Sequence, residues 1–506
     1  MSEYKDSVSH EKEITTSSDG SIKPSHDTAT LVNVADPDDG KSEGERRELD
    51  IKLVKKMDSY LVPWLCLTYL ACFLDRTNIG NARLAGMEKD LDISGPQYNF
   101  SLTIFFISYA GFEPFTNLIL KRVTPRVFFT VSVCVWGLCM MCTGLVSSYS
   151  GLLVARFFLG MCEAGLFPGV QYYLSMWYKR SEVGLRLALF FAMAALAGSF
   201  GGLLAAAIAH MDGVGGKSGW AWIFILEGSG TMVVGAFSWF MIFDWPDTAR
   251  FLAPDERLRV RHRLAKGNLS NRGSDYDKRH VTEALKDWKT WVFGVMDMGN
   301  FMVLYAFSLF LPTILEGMGY EGTHAQLLSV PPYAVAALNT IFIGWLADRT
   351  RQRGICNMCL TSITVVGFIM LIATDNPHIQ YAGTFLGAFG LYPTIPNNIS
   401  WAANNVEGGY KRGVVLGIMV GLGNVNGIVS SNIYMKKEKP HYRTGHAVVL
   451  GYLIILHFGA TALMRTKLAL ENKRRRQGLR DHILDGLTED EIVVMGDKRP
   501  DFMYTL

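Results

Sequence analysis

Charged residues are scarce in this chain. Asp, Glu, Lys and Arg make up 19% of its 506 residues, against about 25% in an average soluble domain. The net charge of +3 excludes a nucleic-acid-binding protein with a strongly basic face or tail. Eight cysteines in a chain of this length exclude a disulfide scaffold. The HExxH, GxSxG and P-loop motifs are absent, so we expect no enzyme activity and no cofactor.

The remaining composition is apolar and unevenly distributed. Residues 1–56 are polar and predict a disordered tail, and they contain no apolar stretch of the kind found in a removable signal peptide. From residue 57 onward, apolar runs of about 20 residues recur, each long enough to cross a ~30 Å hydrocarbon core as a helix. We therefore predict twelve transmembrane helices, near 60–82, 97–119, 127–147, 150–176, 184–209, 218–242, 291–314, 325–346, 355–374, 379–401, 414–435 and 447–466.

Basic residues predict the orientation of these helices. Most of the 49 lysines and arginines fall in loops on the side that holds both termini, and this bias predicts that both termini are cytoplasmic. One local exception is the cluster of Lys436, Lys437, Lys439 and Arg443. The predicted organisation is a tail (1–56), a six-helix bundle (57–243), a cytoplasmic linker (244–290), a second six-helix bundle (291–466) and a second tail (467–506).

A repeat supports this division. A shift of 227 residues aligns 344–353, which follow the eighth predicted helix, with 117–126 after the second. The same shift aligns the Phe-Leu-Gly of 385–387 with that of 158–160. One offset that serves two separate places favours a duplicated architecture, which is how many transporters are built. The predicted fold class is therefore an all-α membrane protein with two pseudo-symmetric six-helix bundles.

The segment GWLADRTRQR at 344–353 resembles the G-x-L-A-D-R-x-x-x-R signature of the major facilitator superfamily. The resemblance implies that a carboxylate and arginines at the inner helix ends lock or release the two halves. The implied gating residues are Asp348, Arg349 and Arg353 in the second half and Lys121 and Arg122 in the first. Because Lys121 occupies the acidic position, the first-half copy is degenerate.

Longer matches narrow the resemblance to the anion:cation symporter family, and within it to the fungal allantoate- and nicotinate-permease-like branch. The matching stretches are 75–81, 156–169, 401–405 with Lys411 and Arg412, 423–424, 431–434 and 496–502. The resemblance implies proton-coupled uptake of a small organic anion across the plasma membrane, by a protein that we expect to act as a monomer. Its partners would be the anion, the proton and the lipid bilayer.

Four charged residues lie inside the first and fourth predicted helices: Asp75, Arg76, Arg156 and Glu163. A charge at mid-membrane costs at least about 2.5–3.5 kcal/mol, so such a residue needs a partner or a watery cavity. Arg76 and Arg156 suit the binding of a carboxylate, and Asp75 and Glu163 suit proton coupling. The alternative is that two Arg–carboxylate pairs brace the first helix against the fourth and bind nothing.

Uncharged polar residues and a few further titratable residues complete the predicted site. Substrate contacts are predicted for Asn78, Tyr305, Asn397, Asn398 and Asn424, although each asparagine could instead join helices by hydrogen bonds. Glu113, before Pro114, either lines the cavity as a proton-coupling residue or caps a broken helix. We expect Glu227 and Asp297 to be structural residues at the helix rims and His457 to be a packing residue.

Two further alternatives concern function. The first is an exporter of an organic acid or secondary metabolite; the absence of proline in the glycine-rich stretch 196–202 argues against a drug antiporter. The second is a membrane sensor, which the short second tail disfavours. The CxxC formed by Cys356 and Cys359 is interpreted as two thiols on one helix, so we expect no metal site.

Overall fold

The computed structural model describes residues 37–38, 40–267, 278–320, 322–435, 438–439, 441–488, 491–492 and 495–506. Within these ranges the secondary structure is helical and contains no strand. Most of the predicted amino-terminal tail lies outside the described residues.

Twelve long helices account for most of the described chain. They are α1 (Glu43–Leu84), α2 (Gly95–Arg122), α3 (Pro125–Thr143), α4 (Tyr149–Ser175, with a break at 164–165), α5 (Arg180–Ile208), α6 (Gly219–Met241), α7 (Trp288–Gly317), α8 (Gly322–Thr350), α9 (Arg353–Ala373), α10 (Pro377–Asn405), α11 (Gly409–Val425, continued by Gly427–Ser430) and α12 (Arg443–Arg476). Residues Tyr452–Gly459 of α12 form a π-helical segment.

The length and composition of these helices suit a membrane. Ten of them contain an 18-residue window with a mean hydropathy of 1.4 to 2.2; α2 and α10, of 28 and 29 residues, are also long enough to span. Large apolar side chains such as Phe240, Leu338 and Ile455 are 70–71% exposed on the outer surface, where they would contact lipid. The prediction of twelve spanning helices is confirmed.

The two sets of six helices pack in corresponding ways. Where the sets meet, α1 packs against α7, α5 against α8 and α2 against α11. The repeat exchanges α2 with α8 and α5 with α11, so the last two contacts are equivalent. The predicted pair of pseudo-symmetric bundles is confirmed.

The first helix begins earlier than its hydropathy predicts. Ser42 and Glu45 form a reciprocal capping box that starts α1 at Glu43. Residues 43–56 are therefore helical, which corrects the predicted disordered tail in this part of the chain. This polar extension is stabilised by the buried side chains of Leu53 and Met57 rather than by a continuous apolar run, so a hydropathy pattern misses it.

The extension of α1 packs against the segment between the bundles, which holds the helices Pro254–Gly267 and Lys278–Lys286. Lys56 pairs with Glu256 at 2.7 Å, and Arg263 Nε pairs with Asp50 at 3.0 Å. A further pair with Arg259 lowers the pKa of Asp38 to about 2. The predicted linker thus adheres to the face of the protein that holds both chain ends, which we call the terminal face.

The last residues of the chain fold back onto the same face. The main-chain oxygen of Thr505 accepts hydrogen bonds from Trp401 Nε1 at 2.8 Å and from Asn405 Nδ2 at 3.0 Å, both on α10. Asp497 pairs with Lys289 of α7 and with Lys411 of α11. Burial raises the pKa of Asp497, but the two lysines outweigh that effect and hold it below its usual value. The tail therefore joins the ends of several helices of the second bundle.

Close packing within the first bundle depends on glycine. A Cβ on Gly228 of α6 would lie 2.5 Å from the main-chain nitrogen of Met141 and 2.8 Å from the main-chain oxygen of Gly137, both on α3. A Cβ on Gly230, on the same helix, would meet no atom within 4 Å. The absence of a side chain at Gly228 lets the two helices approach closely.

We expect Gly228→Val to destabilise the protein by about 1–3 kcal/mol, because the larger side chain forces α3 and α6 apart. The measurement is thermal unfolding of the detergent-solubilised protein. Gly230→Val is the matched control and should leave the midpoint unchanged. Equal midpoints for the two variants would contradict the packing described here.

Candidate functional site

Arg76 lies where the two bundles meet. Helical spacing places Tyr69, Phe73, Arg76 and Gly80 on one face of α1. This face approaches α7 so closely that a Cβ on Gly80 would lie 2.8 Å from the main-chain oxygen of Leu309. The side chain of Arg76 is 5% exposed, so its charge must be compensated by protein groups.

Glu163 of α4 is the counter-ion of Arg76. Oε1 of Glu163 accepts a hydrogen bond from Arg76 Nε at 2.9 Å and a second from Arg76 Nη2. The same oxygen accepts a bond from Cys72 Sγ at 2.9 Å. Oε2 of Glu163 has no hydrogen-bond partner among the described residues. One carboxylate oxygen therefore carries the whole ion pair, and the other is free.

A chain of hydrogen bonds continues from Arg76 into the second bundle. Arg76 Nη1 donates to Tyr305 Oη of α7 at 3.1 Å, and Tyr305 donates to Asn424 Oδ1 of α11 at 2.7 Å. Asn424 Nδ2 donates in turn to Glu113 Oε2 of α2 at 2.9 Å. The chain thus leaves the first bundle at Arg76 and returns to it at Glu113. Glu113 thus contacts the second bundle, which fits the predicted cavity-lining position better than a helix-capping role.

Aromatic rings surround the Arg76 guanidinium group. Its central carbon lies 4.9–5.5 Å from four ring centroids, those of Phe73, Phe105, Tyr109 and Tyr305. Rings at this distance stabilise a buried cation. Sequence reasoning missed Phe105 and Tyr109, because aromatic residues are common in apolar helices and nothing in their spacing sets these two apart.

Arg156 is buried without a counter-ion in hydrogen-bonding contact. Its side chain is 1% exposed, and its guanidinium carbon lies 5.7 Å from the Phe105 centroid. Nε and Nη1 have no hydrogen-bond partner among the described residues. Of the two Arg–carboxylate pairs considered as a brace, the structure shows the one between Arg76 and Glu163. Arg156 therefore has unpaired donors and lies beside Phe105, a ring that Arg76 also contacts.

Asp75 and Asn78 face away from Arg76. Asp75 Oδ2 accepts hydrogen bonds from Trp136 Nε1 of α3 at 3.0 Å and from Thr231 Oγ1 of α6 at 2.9 Å. Asn78 faces α5, where a Cβ on Gly201 would lie 3.5 Å from its Oδ1. Successive helical residues are rotated by about 100°, so neighbours in sequence point to different helices. The structure does not bring these two predicted site residues together with Arg76.

Asn397 and Asn398 also lie elsewhere, inside the second bundle. Asn397 Oδ1 accepts a hydrogen bond from Arg353 Nη1 at 2.8 Å, and Asn398 Nδ2 donates to Asp297 Oδ1 at 3.1 Å. Asp297 is 0% exposed, which corrects its expected position at a helix rim. Among the predicted second-half contacts, Tyr305 and Asn424 are the two that the structure joins to Arg76.

The predicted gating residues separate into two groups. Arg353 forms an ion pair with Asp348, and the pair abuts the first bundle, since a Cβ on Gly184 of α5 would lie 2.6 Å from Asp348 Oδ1. Arg349 instead points outward over the ring of Trp345, 5.5 Å from its centroid, and is exposed. Arg122 is exposed as well, and the side chain of Lys121 lies outside the described part of the chain.

Metal-binding groups do not cluster in the described ranges: no group of three or more His, Cys, Asp or Glu residues is placed to hold an ion there. Cys356 and Cys359 are free thiols on α9. The polar chemistry of the site therefore comes from guanidinium, carboxyl, phenol and amide groups.

We expect Tyr305→Phe to destabilise the protein by about 1–3 kcal/mol, because Arg76 Nη1 loses an acceptor and Asn424 Oδ1 loses a donor in a buried site. Thermal unfolding of the purified protein measures the change. The control is Tyr60→Phe, which changes a 49% exposed tyrosine of α1 and should have no effect. An unchanged midpoint for Tyr305→Phe would show that the inter-bundle chain contributes no stability.

Comparison with known proteins agrees with this architecture. The sequence profile of the Major Facilitator Superfamily matches residues 65–431. The MFS-type transporter cnsO of Penicillium expansum is 35% identical over 90% of each chain. The high-affinity nicotinic acid transporter of Saccharomyces cerevisiae is 30% identical over 90% of this chain and 85% of that protein.

A solved structure shows the same fold at low identity. A bacterial homolog of the human lysosomal transporter Spinster, in an inward-facing and occupied conformation, superposes with a TM-score of 0.57 and 17% identity over 80% of this chain and 95% of that chain. From the profile match, the relatives and the twelve-helix fold, we conclude that this chain is a multi-pass membrane transporter that belongs to the Major Facilitator Superfamily.

Proposed function

We propose that the protein imports a small organic anion together with protons, and that Arg156 binds the carboxylate of that anion. The observation that carries the proposal is the buried Arg156 guanidinium group with Nε and Nη1 unpaired. A buried cation without a partner is costly inside a membrane. A carboxylate supplies both the charge and the fork-shaped pair of acceptors that a guanidinium group prefers.

Arg76 is the second cation of the proposed site. The guanidinium carbons of Arg76 and Arg156 lie 5.5 Å and 5.7 Å from the same Phe105 centroid. One anion beside this ring could therefore contact both arginines, provided that Arg76 gives up part of its pairing with Glu163. The flat aromatic walls also suit a planar carboxylate-bearing metabolite or vitamin.

Protonation of Glu163 provides the coupling. While Glu163 is ionised it holds Arg76 through Oε1. A proton taken up at the free oxygen Oε2 would neutralise the carboxyl group and weaken this pair, which releases Arg76 to the substrate. With Glu163 protonated and the anion bound, the site carries the same net charge as the empty site with Glu163 ionised. A protonated site without substrate carries one more positive charge, so its passage between the two faces costs more energy. Asp75 and Glu113 are further proton-coupling candidates.

One relative supports the substrate class. One homologue is a high-affinity nicotinic acid transporter, and nicotinate carries the carboxylate that the arginines require. The same reasoning extends to allantoate and similar carboxylates, as expected for the anion:cation symporter branch. We further propose cytoplasmic termini, because basic residues concentrate on the terminal face. The plasma-membrane location and the functional monomer are proposed from the family resemblance.

We expect Arg156→Gln to lower kcat/KM for uptake about 10- to 100-fold, since a charged hydrogen-bond donor to the substrate is lost. The assay measures the uptake of labelled nicotinate, allantoate and other carboxylates by cells that express the protein, with and without a protonophore. Arg474→Gln, at a 58% exposed side chain beyond the membrane, is the matched control. Net efflux would favour the exporter alternative, and indifference to the protonophore would rule out symport.

We expect Glu163→Gln to abolish concentrative uptake and its pH dependence while it leaves downhill exchange of the same substrate intact. The amide keeps a hydrogen-bond acceptor for Arg76 but cannot bind or release a proton. Glu227→Gln, at another buried carboxyl group on α6, is the matched control and should keep normal coupling. Accumulation against a gradient with normal pH dependence in Glu163→Gln would remove Glu163 from the coupling mechanism.

A further inference from the structure

A second pair of titratable residues lies inside the carboxyl-terminal bundle. Asp297 of α7 and His457 in the π-helical segment of α12 are both 0% exposed. Asn398 Nδ2 lies 3.1 Å from Asp297 Oδ1 and 3.2 Å from His457 Nε2. Asp297 Oδ2 has no partner among the described residues. A carboxyl group and an imidazole thus share one amide, away from Arg76 and Glu163.

The hydrogen bonds determine which nitrogen of His457 carries the proton. Asn398 Oδ1 accepts a bond from Asn357 Nδ2 at 2.5 Å, so the amide nitrogen of Asn398 must face Asp297 and His457. His457 Nε2 therefore accepts. His457 Nδ1 carries the proton and lies 2.7 Å from Thr361 Oγ1, which donates onward to the main-chain oxygen of Asn357 at 2.7 Å. In this arrangement His457 is neutral.

Three asparagine side chains connect this pair to the gate. Arg353 Nη1 donates to Asn397 at 2.8 Å, Asn397 Nδ2 donates to Asn357 at 2.7 Å, and Asn357 donates to Asn398. We call Asn397, Asn357 and Asn398 the amide chain. The bonds between these side chains all run from Arg353 towards Asp297 and His457, and Asn397 Nδ2 also donates to the main-chain oxygen of Arg353 at 3.0 Å. At the far end, Arg353 pairs with Asp348 against Gly184 of the other bundle.

We propose that Asp297 and His457 form a second proton-binding site, and that the amide chain transmits its protonation state to the Arg353–Asp348 pair at the contact between the bundles. The inference rests on the proposed proton coupling and adds a site in the second half. There the 227-residue repeat places Gly383 and Gly390 at the positions that correspond to Arg156 and Glu163.

The polarity of the amide chain provides the transmission. When a proton binds His457 Nε2, both ring nitrogens become donors, and the amide nitrogen of Asn398 can no longer face the ring. Asn398 then turns its oxygen to His457, and because that oxygen also comes to face Asp297 Oδ1, the turn requires a proton on Asp297 that is donated to it. The turn leaves Asn357 without an acceptor and reverses each amide in the chain. Arg353 Nη1 then faces an amide nitrogen and loses its acceptor, and the main-chain oxygen of Arg353 loses the bond from Asn397 Nδ2. The ion pair with Asp348 is left as its main restraint, so the gate contact changes.

Other titratable groups on the surrounding helices lie farther away or have other partners. On α7, Lys289 and Tyr305 are each eight residues from Asp297, about 12 Å along the axis, and they contact Asp497 and Arg76 respectively. On α11, Lys411 pairs with Asp497. Among the described residues, the side chains that contact the pair are Asn398 on α10 and Thr361 on α9, and neither titrates in the physiological range. On α12, Arg465 lies eight residues beyond His457, about 12 Å along the axis.

The test measures the gate without any substrate, so its failure is distinguishable from a failure of the proposed transport function. Spin labels are placed on the terminal face at Thr124, which precedes α3, and at Arg476, which ends α12; both are exposed. The exposed Cys142 and Cys359 are replaced by serine. Pulsed electron-spin measurements then give the distance distribution between the bundles of the full-length protein from about pH 5 to pH 8.

We expect a pH-dependent shift of this distribution in the labelled parent and in Glu163→Gln, in which the first-half carboxyl group no longer titrates. Asp297→Asn and Asn398→Leu should both abolish the shift, because the first removes the titrating carboxyl group whose protonation the turn of Asn398 requires and the second interrupts the amide chain. Glu227→Gln is the matched control for a buried carboxyl group and should keep the shift.

Two results would overturn the proposal. One is a full pH-dependent shift in Asp297→Asn or in Asn398→Leu. The other is the absence of any shift in Glu163→Gln, which needs no change at Asp297 and therefore remains informative if the Asp297 and Asn398 variants fail to fold.

Discussion

A charged side chain in the hydrocarbon core of a membrane costs several kcal/mol unless protein groups compensate it, and this cost governs the interior of the transporter. The charge of Arg76 is compensated by one oxygen of Glu163 and by four aromatic rings. Arg156 lies beside the same Phe105 ring, but two of its nitrogens have no hydrogen-bond partner among the described residues. Arg76 is therefore held by protein groups, whereas Arg156 is the group that we propose binds the substrate anion.

The same constraint explains why the two bundles are joined by polar side chains at their centre. Tyr305 and Asn424 connect Arg76, the partner of Glu163, to Glu113 by hydrogen bonds. The Arg76–Glu163 pair is therefore linked to side chains of both bundles. At the terminal face, Arg353 and Asp348 contact the first bundle beside Gly184. Between these levels the amide chain offers a route within the second bundle. Transport by rocking requires contacts of this kind, which can be exchanged rather than only broken.

Sequence reasoning identified the four intramembrane charges because they interrupt apolar runs, and it identified Tyr305 and Asn424 among several polar candidates. It did not distinguish these two from Asn397 and Asn398, which lie in the amide chain. It also treated Asp75 and Arg76 as one group, although consecutive positions on a helix point to different neighbours. The start of α1 escaped hydropathy because its polar turns are held by a capping box and ion pairs.

By itself the sequence determined the number of spanning helices, the two-fold repeat and the identity of the rare buried charges, since the length of apolar runs and the cost of charge in lipid act along the chain. The tertiary structure decided which of those charges are paired, which asparagine joins Tyr305 and Glu113, and which asparagines lie between Asp297 and the Arg353–Asp348 pair. Those choices depend on the rotation of each helix about its axis and on which neighbour it contacts. A single sequence carries no direct record of either.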